Sequence, residues 1–181
     1  MLRPSAAHRQ PEIRPLTPAD RAVALQVINV AAQWYREFLP PEELHSPEMT
    51  PEQWDAEARR MSWYGAFVEE RLVAVMALEA RGDAALVRHG YVLPEHQRHG
   101  VGATLLAHLE RAADVQRVII GTYAANYKAR ASLEKAGYRL CADSPAVLAR
   151  YYELPADRAR ASVAYEKSLA PPGSGAATSP G

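Results

Sequence analysis

The sequence predicts one domain of the α/β or α+β class, with a mixed, mostly antiparallel sheet of six to seven strands flanked by about four helices. Three features predict it: two well-marked helix starts near the N-terminus, a central run of alternating strands, and a later alternation of strand and helix. With 181 residues, of which 48% are hydrophobic and 23% charged, the chain is long enough to bury one hydrophobic core. It shows no internal repeat.

The N-terminal part carries the two helix starts. Thr17 and Thr50 are each followed by proline and, three positions later, by an acidic or amide residue, which is the pattern of a capped first turn. A short strand over 12–16 precedes the first start. Apolar residues then recur at spacings of three and four as far as Phe38, which indicates a helix with one buried face. The second helix is expected over 51–61.

The hydrophobic period then changes from helical to alternating. Three strands joined by tight polar turns are predicted at 64–68, 72–79 and 84–93. The remaining elements are a helix over 102–113, a strand over 117–122, a helix over 126–136, a strand over 138–141, a short helix and loop within 144–157, and a strand over 161–168. The step from the third strand through a helix to the next predicts a right-handed crossover.

Composition excludes several classes of protein. Lys and Arg number 21, as do Asp and Glu, so the chain lacks the basic surplus typical of nucleic-acid binding. No segment has the apolar length of a membrane span or the pattern of a signal peptide, so we expect a cytoplasmic protein without a membrane partner. The histidines lack Cys or Asp partners at ligand spacing, and no metal is expected.

Disordered tails are predicted at 1–10 and 170–181, leaving a folded part over 11–169.

The most informative segment is 91–106, which reads YVLPEHQRHGVGATLL. A strand ends at Pro94, and a loop runs directly into a helix, with Gly100 and Gly102 at the junction. The first turn of a helix has N–H groups without intrahelical partners and a partial positive charge, and glycine lets a bulky anion approach the backbone. The segment therefore predicts a site for a phosphate or diphosphate.

Other phosphate-binding loops do not fit this segment. Donors at the loop mouth come from Gln97, Arg98 and His99. A Walker A loop needs Gly-Lys-Ser/Thr, which the sequence lacks, and a dinucleotide fingerprint needs a third glycine where Leu105 stands. ATP, GTP and NAD are therefore not the expected ligands.

Two spaced motifs together resemble a known family. Gln97, Gly100 and Gly102 match Gln/Arg-x-x-Gly-x-Gly/Ala after a strand ending in Tyr91-Val92-x-Pro94, and the stretch from Asn126 to Tyr138 resembles Asn-x-x-Ala-x-x-x-Tyr-x-Lys-x-Gly-Phe. The chain thus resembles the GNAT superfamily of acyl-CoA-dependent N-acyltransferases, and the order of elements matches over nearly all of the folded part.

This resemblance implies a sheet splayed at its centre, with the pantetheine arm of acyl-CoA bound between strands 86–93 and 118–122 as a pseudo-strand. Unpaired amides along a splayed edge are costly, and an amide-bearing arm can pair with them. The residues expected to bind acetyl-CoA are Tyr91, Val92 and Leu93 along the arm, Gln97, Arg98, His99, Gly100, Val101, Gly102 and Ala103 around the diphosphate, and Asn126 on the opposite side.

The implied activity is transfer of an acetyl group from acetyl-CoA to a primary amine of a small molecule or peptide by direct attack. A backbone N–H near Val92 would stabilise the oxyanion, and Glu79 and His89 are the catalytic candidates for handling the amine's proton. The first two helices and the loop before the last strand would form the acceptor site, and the aromatic residues in or near these elements are Trp34, Tyr35, Trp63, Tyr64, Tyr151 and Tyr152.

One position departs from the family pattern, because Leu133 stands where many members have a tyrosine as general acid. Tyr123, Tyr127 or Tyr138 are the possible substitutes. The alternative hypothesis is a catalytically silent acyl-CoA sensor or partner-binding module on the same fold. A homodimer is a further possibility that the sequence leaves open.

Overall fold

The computed structural model describes residues 10–170, which form a seven-stranded mixed sheet in the order β1-β2-β3-β4-β5-β7-β6. The strands are β1 Glu12–Pro15, β2 Ser62–Val68, β3 Arg71–Arg81, β4 Ala84–Val92, β5 Arg117–Tyr123, β6 Arg139–Leu140 and β7 Ser162–Ser168. Neighbouring strands are antiparallel except β4 and β5, which are parallel. The predicted fold class is confirmed.

The described residues contain six α-helices rather than about four. They are α1 Arg21–Ala31, α2 Pro51–Glu57, α3 Val101–Ala112, α4 Tyr127–Lys135, α5 Ser144–Tyr151 and α6 Ala156–Ala161. The region 144–157, expected to hold one short helix and a loop, thus holds α5 and the start of α6, which continues to Ala161. The second predicted helix is also too long, because the chain leaves α2 at Glu57 to reach the start of β2 at Ser62.

Both predicted helix starts are present. The Thr50 hydroxyl accepts from Gln53 N–H at 3.2 Å while the Gln53 side chain accepts from Thr50 N–H at 2.7 Å, so each satisfies a donor of the other. At the first start, the Asp20 carboxylate accepts from Thr17 N–H at 2.8 Å. A 3₁₀ turn, Pro18–Asp20, leads from there into α1.

Helices cover both faces of the sheet and position its centre. The apolar faces of α1 and α3 contact β3 and β4, and α3 buries Val101, Leu105, Leu106 and Leu109. A second group of buried residues joins α5 to β4 and β5, through contacts that include Leu148 and Ile119. The elements around the β4–β5 junction are thus anchored from several sides.

The predicted tails lie outside the described residues apart from Gln10 and Ala170. Among residues 10–170, no helix has the length and apolar character needed to cross a membrane.

Candidate active site

The centre of the sheet opens between β4 and β5. In the described structure these strands pair at three positions only, Ala85 with Val118, Leu86 with Ile119 and Val87 with Ile120. Beyond Val87, β4 continues to pair with β3 and β5 continues to pair with β7. The two strands therefore diverge into a wedge-shaped slot, which agrees with the predicted splay.

A bulge in β4 accompanies the divergence. Ala77 pairs with Arg88 but Val75 pairs with Tyr91, so β4 carries one extra residue at this point. His89 lies in the bulge with φ of +53°, a left-handed conformation that is uncommon for a residue with a side chain. The extra residue bends β4 away from β5 while its pairing with β3 is kept.

The edge of β4 that faces the slot has a directed N–H group. Leu93 N–H donates to Val73 of β3 at 2.9 Å, and successive residues of a strand point their N–H groups to opposite sides. The N–H of Val92 therefore points away from β3 and toward the slot. The neighbouring Val92 carbonyl accepts a hydrogen bond from Gln97 Nε2 at 3.0 Å, so the first motif residue ties the loop to this edge.

The loop after β4 forms an open, backbone-lined cradle. Gly100 is the N-cap of α3 with φ of +80°, and a Cβ there would meet no described heavy atom within 4 Å. Arg98, His99 and Ala103 are exposed beside it, whereas Val101 is buried and anchors the helix. A Cβ on Gly102 would lie 3.4 Å from Val92, so this glycine allows close packing on the strand. The loop could hold an anionic diphosphate, because the space beside Gly100 is open and the first turn of a helix supplies N–H groups without intrahelical partners.

Asn126 lies across the slot and is buried. Its side-chain oxygen caps α4 by accepting from Ala129 N–H at 3.2 Å and accepts more weakly from the Trp34 indole at 3.4 Å. The Trp34 ring in turn lies under Lys128 Nζ, 3.3 Å from the ring centroid. A cavity of about 440 Å³ separates this group from Gln97 and the β4–α3 loop.

Tyrosines from both sides of the slot meet on one face of the sheet. The hydroxyl of Tyr35 lies 3.3 Å from that of Tyr91 on β4, and its ring packs edge-on against Tyr123 of β5, with centroids 5.4 Å apart. Burial raises the pKa of Tyr35 to about 12 and also raises that of Tyr123, so both phenols keep their protons near neutral pH. Tyr35 thus bridges the two diverging strands.

Behind these tyrosines lies an acidic group that sequence reasoning missed. Glu48 Oε1 accepts from the Tyr91 hydroxyl at 3.4 Å and lies 3.6 Å from Arg158 Nη2. Burial raises the pKa of Glu48, although Arg158, His45 and Tyr91 oppose the shift. No local pattern marks Glu48, since it stands outside regular structure and its basic partner lies on α6.

Glu79 is held by three arginine side chains. Its side chain is buried, and its Oε1 accepts from Arg60 at 3.0 Å and Arg81 at 2.8 Å while Oε2 accepts from Arg88 at 2.9 Å. Guanidinium groups thus occupy both carboxylate oxygens. The geometry therefore gives Glu79 a role in holding Arg88 and the neighbouring turn, and its expected catalytic role stays a prediction.

His89 is largely buried between an acid and an aromatic ring. Its Nε2 lies 3.3 Å from Glu57 Oε2, and its ring stacks on Trp63 with centroids 5.1 Å apart. Burial lowers the pKa of His89. Burial would raise the pKa of Glu57, but hydrogen bonds from His89 and Arg60 outweigh it and lower that pKa to about 2. An ionised carboxylate only accepts, so Nε2 carries the proton and Nδ1 has a free lone pair.

The position at which many family members have a tyrosine is held here by a buried leucine. Leu133 is buried in the main hydrophobic core. Of the possible substitutes, Tyr138 donates its hydroxyl to Glu110 at 2.8 Å and Tyr127 is 63% exposed against Trp34. Tyr123 is the substitute that lies beside the slot.

Comparisons with known proteins agree with this geometry. The chain matches the acetyltransferase (GNAT) family over residues 28–138. Phosphinothricin N-acetyltransferase of Streptomyces viridochromogenes is 30% identical over 158 residues, covering 75% of this chain and 84% of the relative.

Solved structures share the fold at low identity. The PaiA N-acetyltransferase of Thermoplasma acidophilum, in complex with coenzyme A, superimposes with a TM-score of 0.70 at 17% identity, covering 88% of this chain and 99% of its own. The ribosomal-protein-S18-alanine N-acetyltransferase of Escherichia coli gives a TM-score of 0.65 at 18% identity, covering 92% and 98%. Since the family match extends over more than half of its residues, this chain belongs to the acetyltransferase (GNAT) family.

Proposed function

We propose that the protein transfers an acetyl group from acetyl-CoA to a primary amine of a small molecule or peptide by direct attack on the thioester. The observation that carries this proposal is the slot between β4 and β5, which opens where the β4–α3 loop begins. The pantetheine arm would lie in the slot along Tyr91, Val92 and Leu93, and the diphosphate on the loop from Gln97 to Ala103. A GNAT relative of the same fold binds coenzyme A, which supports this placement.

The tetrahedral intermediate needs a donor for its developing oxyanion. The N–H of Val92 points into the slot and is held there by the pairing of Leu93 with Val73. A fixed backbone donor aimed at the thioester oxygen stabilises the transition state without reorganising. We assign this role to Val92.

The attacking amine must be neutral, so a nearby group has to accept its proton. His89 presents an unprotonated Nδ1 at neutral pH, because burial disfavours the imidazolium. Glu48 is the other candidate, since it accepts a hydrogen bond from Tyr91 at the edge of the slot and burial raises its pKa. Glu79 keeps a positioning role through its hydrogen bond to Arg88.

The departing thiolate of coenzyme A needs little help, because a thiol with a pKa of about 8.5 is a fair leaving group. Tyr123 is assigned as the proton donor to this sulfur. Its ring lies on the β5 side of the slot, and burial keeps its hydroxyl protonated. The absence of a tyrosine at Leu133 therefore gives no support to a silent binding module, which is not favoured for a chain of this family.

Two measurements on the purified protein test the proposal. Calorimetry should show saturable binding of coenzyme A, and thiol release from acetyl-CoA should increase when primary amines are added. Binding without amine-dependent release across a broad panel would overturn the transfer reaction but keep the cofactor site. Absence of binding would overturn both.

A further inference from the structure

The face of the slot that carries Tyr35 also carries a pair of opposite charges, Glu48 and Arg158, which face a cavity. The Glu48 side chain is 10% exposed and that of Arg158 29% exposed, and their nearest charged atoms are 3.6 Å apart. They line a cavity of about 460 Å³ together with His45, Thr50, Gln53 and Pro155. This volume lies within the range of small-molecule sites in proteins.

The charged pair connects to the slot through hydroxyl groups. Glu48 accepts a hydrogen bond from Tyr91, whose backbone forms the β4 edge of the slot, and Tyr91 contacts Tyr35. Tyr35 packs against Tyr123 on the β5 side. A molecule held at Glu48 would therefore lie next to the place where the thioester is expected, on the side that α3 and the diphosphate loop leave open.

Both members of the pair come from segments outside the slot strands and the diphosphate loop. Glu48 precedes the Thr50 cap of α2, and Arg158 projects from α6 just before β7. Glu48 and Arg158 contact each other only at 3.6 Å, so a ligand that supplies both signs can give each of these charges a closer partner. A simple amine would match Glu48 and leave Arg158 without a new partner.

We propose that the amine acceptor is a small zwitterion of the α-amino acid class, with its ammonium bound by Glu48 and its carboxylate by Arg158. This inference rests on the proposed function and selects the small-molecule acceptor over a peptide, whose terminal amine has no carboxylate beside it. Charge-assisted hydrogen bonds to both ends would orient the amine toward Tyr91 and the slot. Before attack, the ammonium transfers one proton to the Glu48 carboxylate, one of the two proposed bases, and becomes neutral.

The test compares matched ligands that differ in one charge. L-Leucine, L-leucinamide and isoamylamine share a side chain, and the same comparison extends to the other common amino acids and their amides. Calorimetric affinity is measured with protein already saturated with coenzyme A, and thiol release is measured with acetyl-CoA. At least one amino acid should bind about tenfold or more tightly than its amide.

Substitutions of Arg158 and Glu48 then show which residue binds the carboxylate and which binds the ammonium. Arg158→Gln should reduce the preference for the acid over the amide to near unity, and Arg158→Lys should keep part of it. Glu48→Gln should weaken binding of the acid and the amide alike. Arg160→Gln removes the same charge from an exposed position of the same helix and should preserve the preference.

The outcomes separate this inference from the proposed function. Turnover of amines with no preference for amino acids, or a preference that survives Arg158→Gln, would overturn the zwitterion site and leave acetyl transfer standing. Selective binding of amino acids without turnover would support the site and overturn transfer. If Arg160→Gln abolishes the preference as fully as Arg158→Gln does, the preference reflects general surface charge, and the assignment of Arg158 is overturned.

Discussion

The hydroxyl of Tyr152 accepts a hydrogen bond from the N–H of Gly121 at 2.9 Å, one residue beyond the last pair of β5 with β4. The same hydroxyl lies 3.4 Å from the Ile119 carbonyl, toward which it donates. Had the parallel ladder continued, the next pair would have been Arg88 with Gly121. A phenol from the end of α5 thus satisfies backbone groups of β5 that a longer ladder would have bonded to β4.

Tyr152→Phe should therefore destabilise the fold at the slot. The change leaves the partly buried Gly121 N–H without its acceptor, and an unsatisfied donor costs about 1 kcal/mol or more. We expect a loss of that size in the free energy of unfolding, measured by urea denaturation. Tyr151→Phe is the control, because its hydroxyl donates to Asp83, whose side chain is 58% exposed. Equal losses in the two variants would contradict a special role for Tyr152.

Gly100→Glu should abolish coenzyme A binding without unfolding the protein. The new carboxylate would stand where the diphosphate is expected, and affinity measured by calorimetry should fall by at least about tenfold. Gly82→Glu is a matched control, because Gly82 also has a positive φ and open space around it but lies in the β3–β4 turn. Both variants carry the same backbone strain of about 1 kcal/mol. Unchanged affinity in Gly100→Glu would contradict the cradle.

Tyr123→Phe should lower kcat by roughly tenfold to a hundredfold while leaving the affinity for coenzyme A unchanged, because the phenol is assigned to protonating the departing sulfur. Steady-state kinetics and calorimetry check the two quantities separately. Tyr127→Phe removes an exposed phenol nearby and should leave both unchanged. If kcat persists in Tyr123→Phe, the thiolate leaves without protein assistance.

His89 should make stability depend on pH. Burial holds its pKa below the ordinary value of about 6.5, so the unfolded chain takes up a proton below that pH which the folded chain does not. The free energy of unfolding should therefore decrease as pH falls below about 6.5, until the lowered pKa is reached. His89→Gln should lack this decrease, whereas His96→Gln should keep it. Parallel stability curves for wild type and His89→Gln between pH 5 and 7.5 would contradict the assignment.

Local patterns in the sequence were enough to predict the strands, the helix caps and the glycine loop. The signals at Thr50, Gly100 and Gly102 act within a few residues, so they could be recognised before the fold was known. The environment of Glu79 could not be recognised in the same way, because Arg60 lies 19 residues away in sequence and reaches it only once β2 and β3 have paired. The contact of Glu48 with Arg158 spans a still longer separation and depends on α6, a helix that was not predicted from the sequence.

The divergence of β4 from β5 also bears on how the protein should be handled. In the described structure the slot-facing edge of β4 beyond Val87 is not bonded to β5, and such an edge can recruit extended segments of other chains. Coenzyme A seated along Tyr91 to Leu93 would cover the β4 edge. Concentrated solutions stored with the coenzyme should consequently scatter less light over days than solutions stored without it.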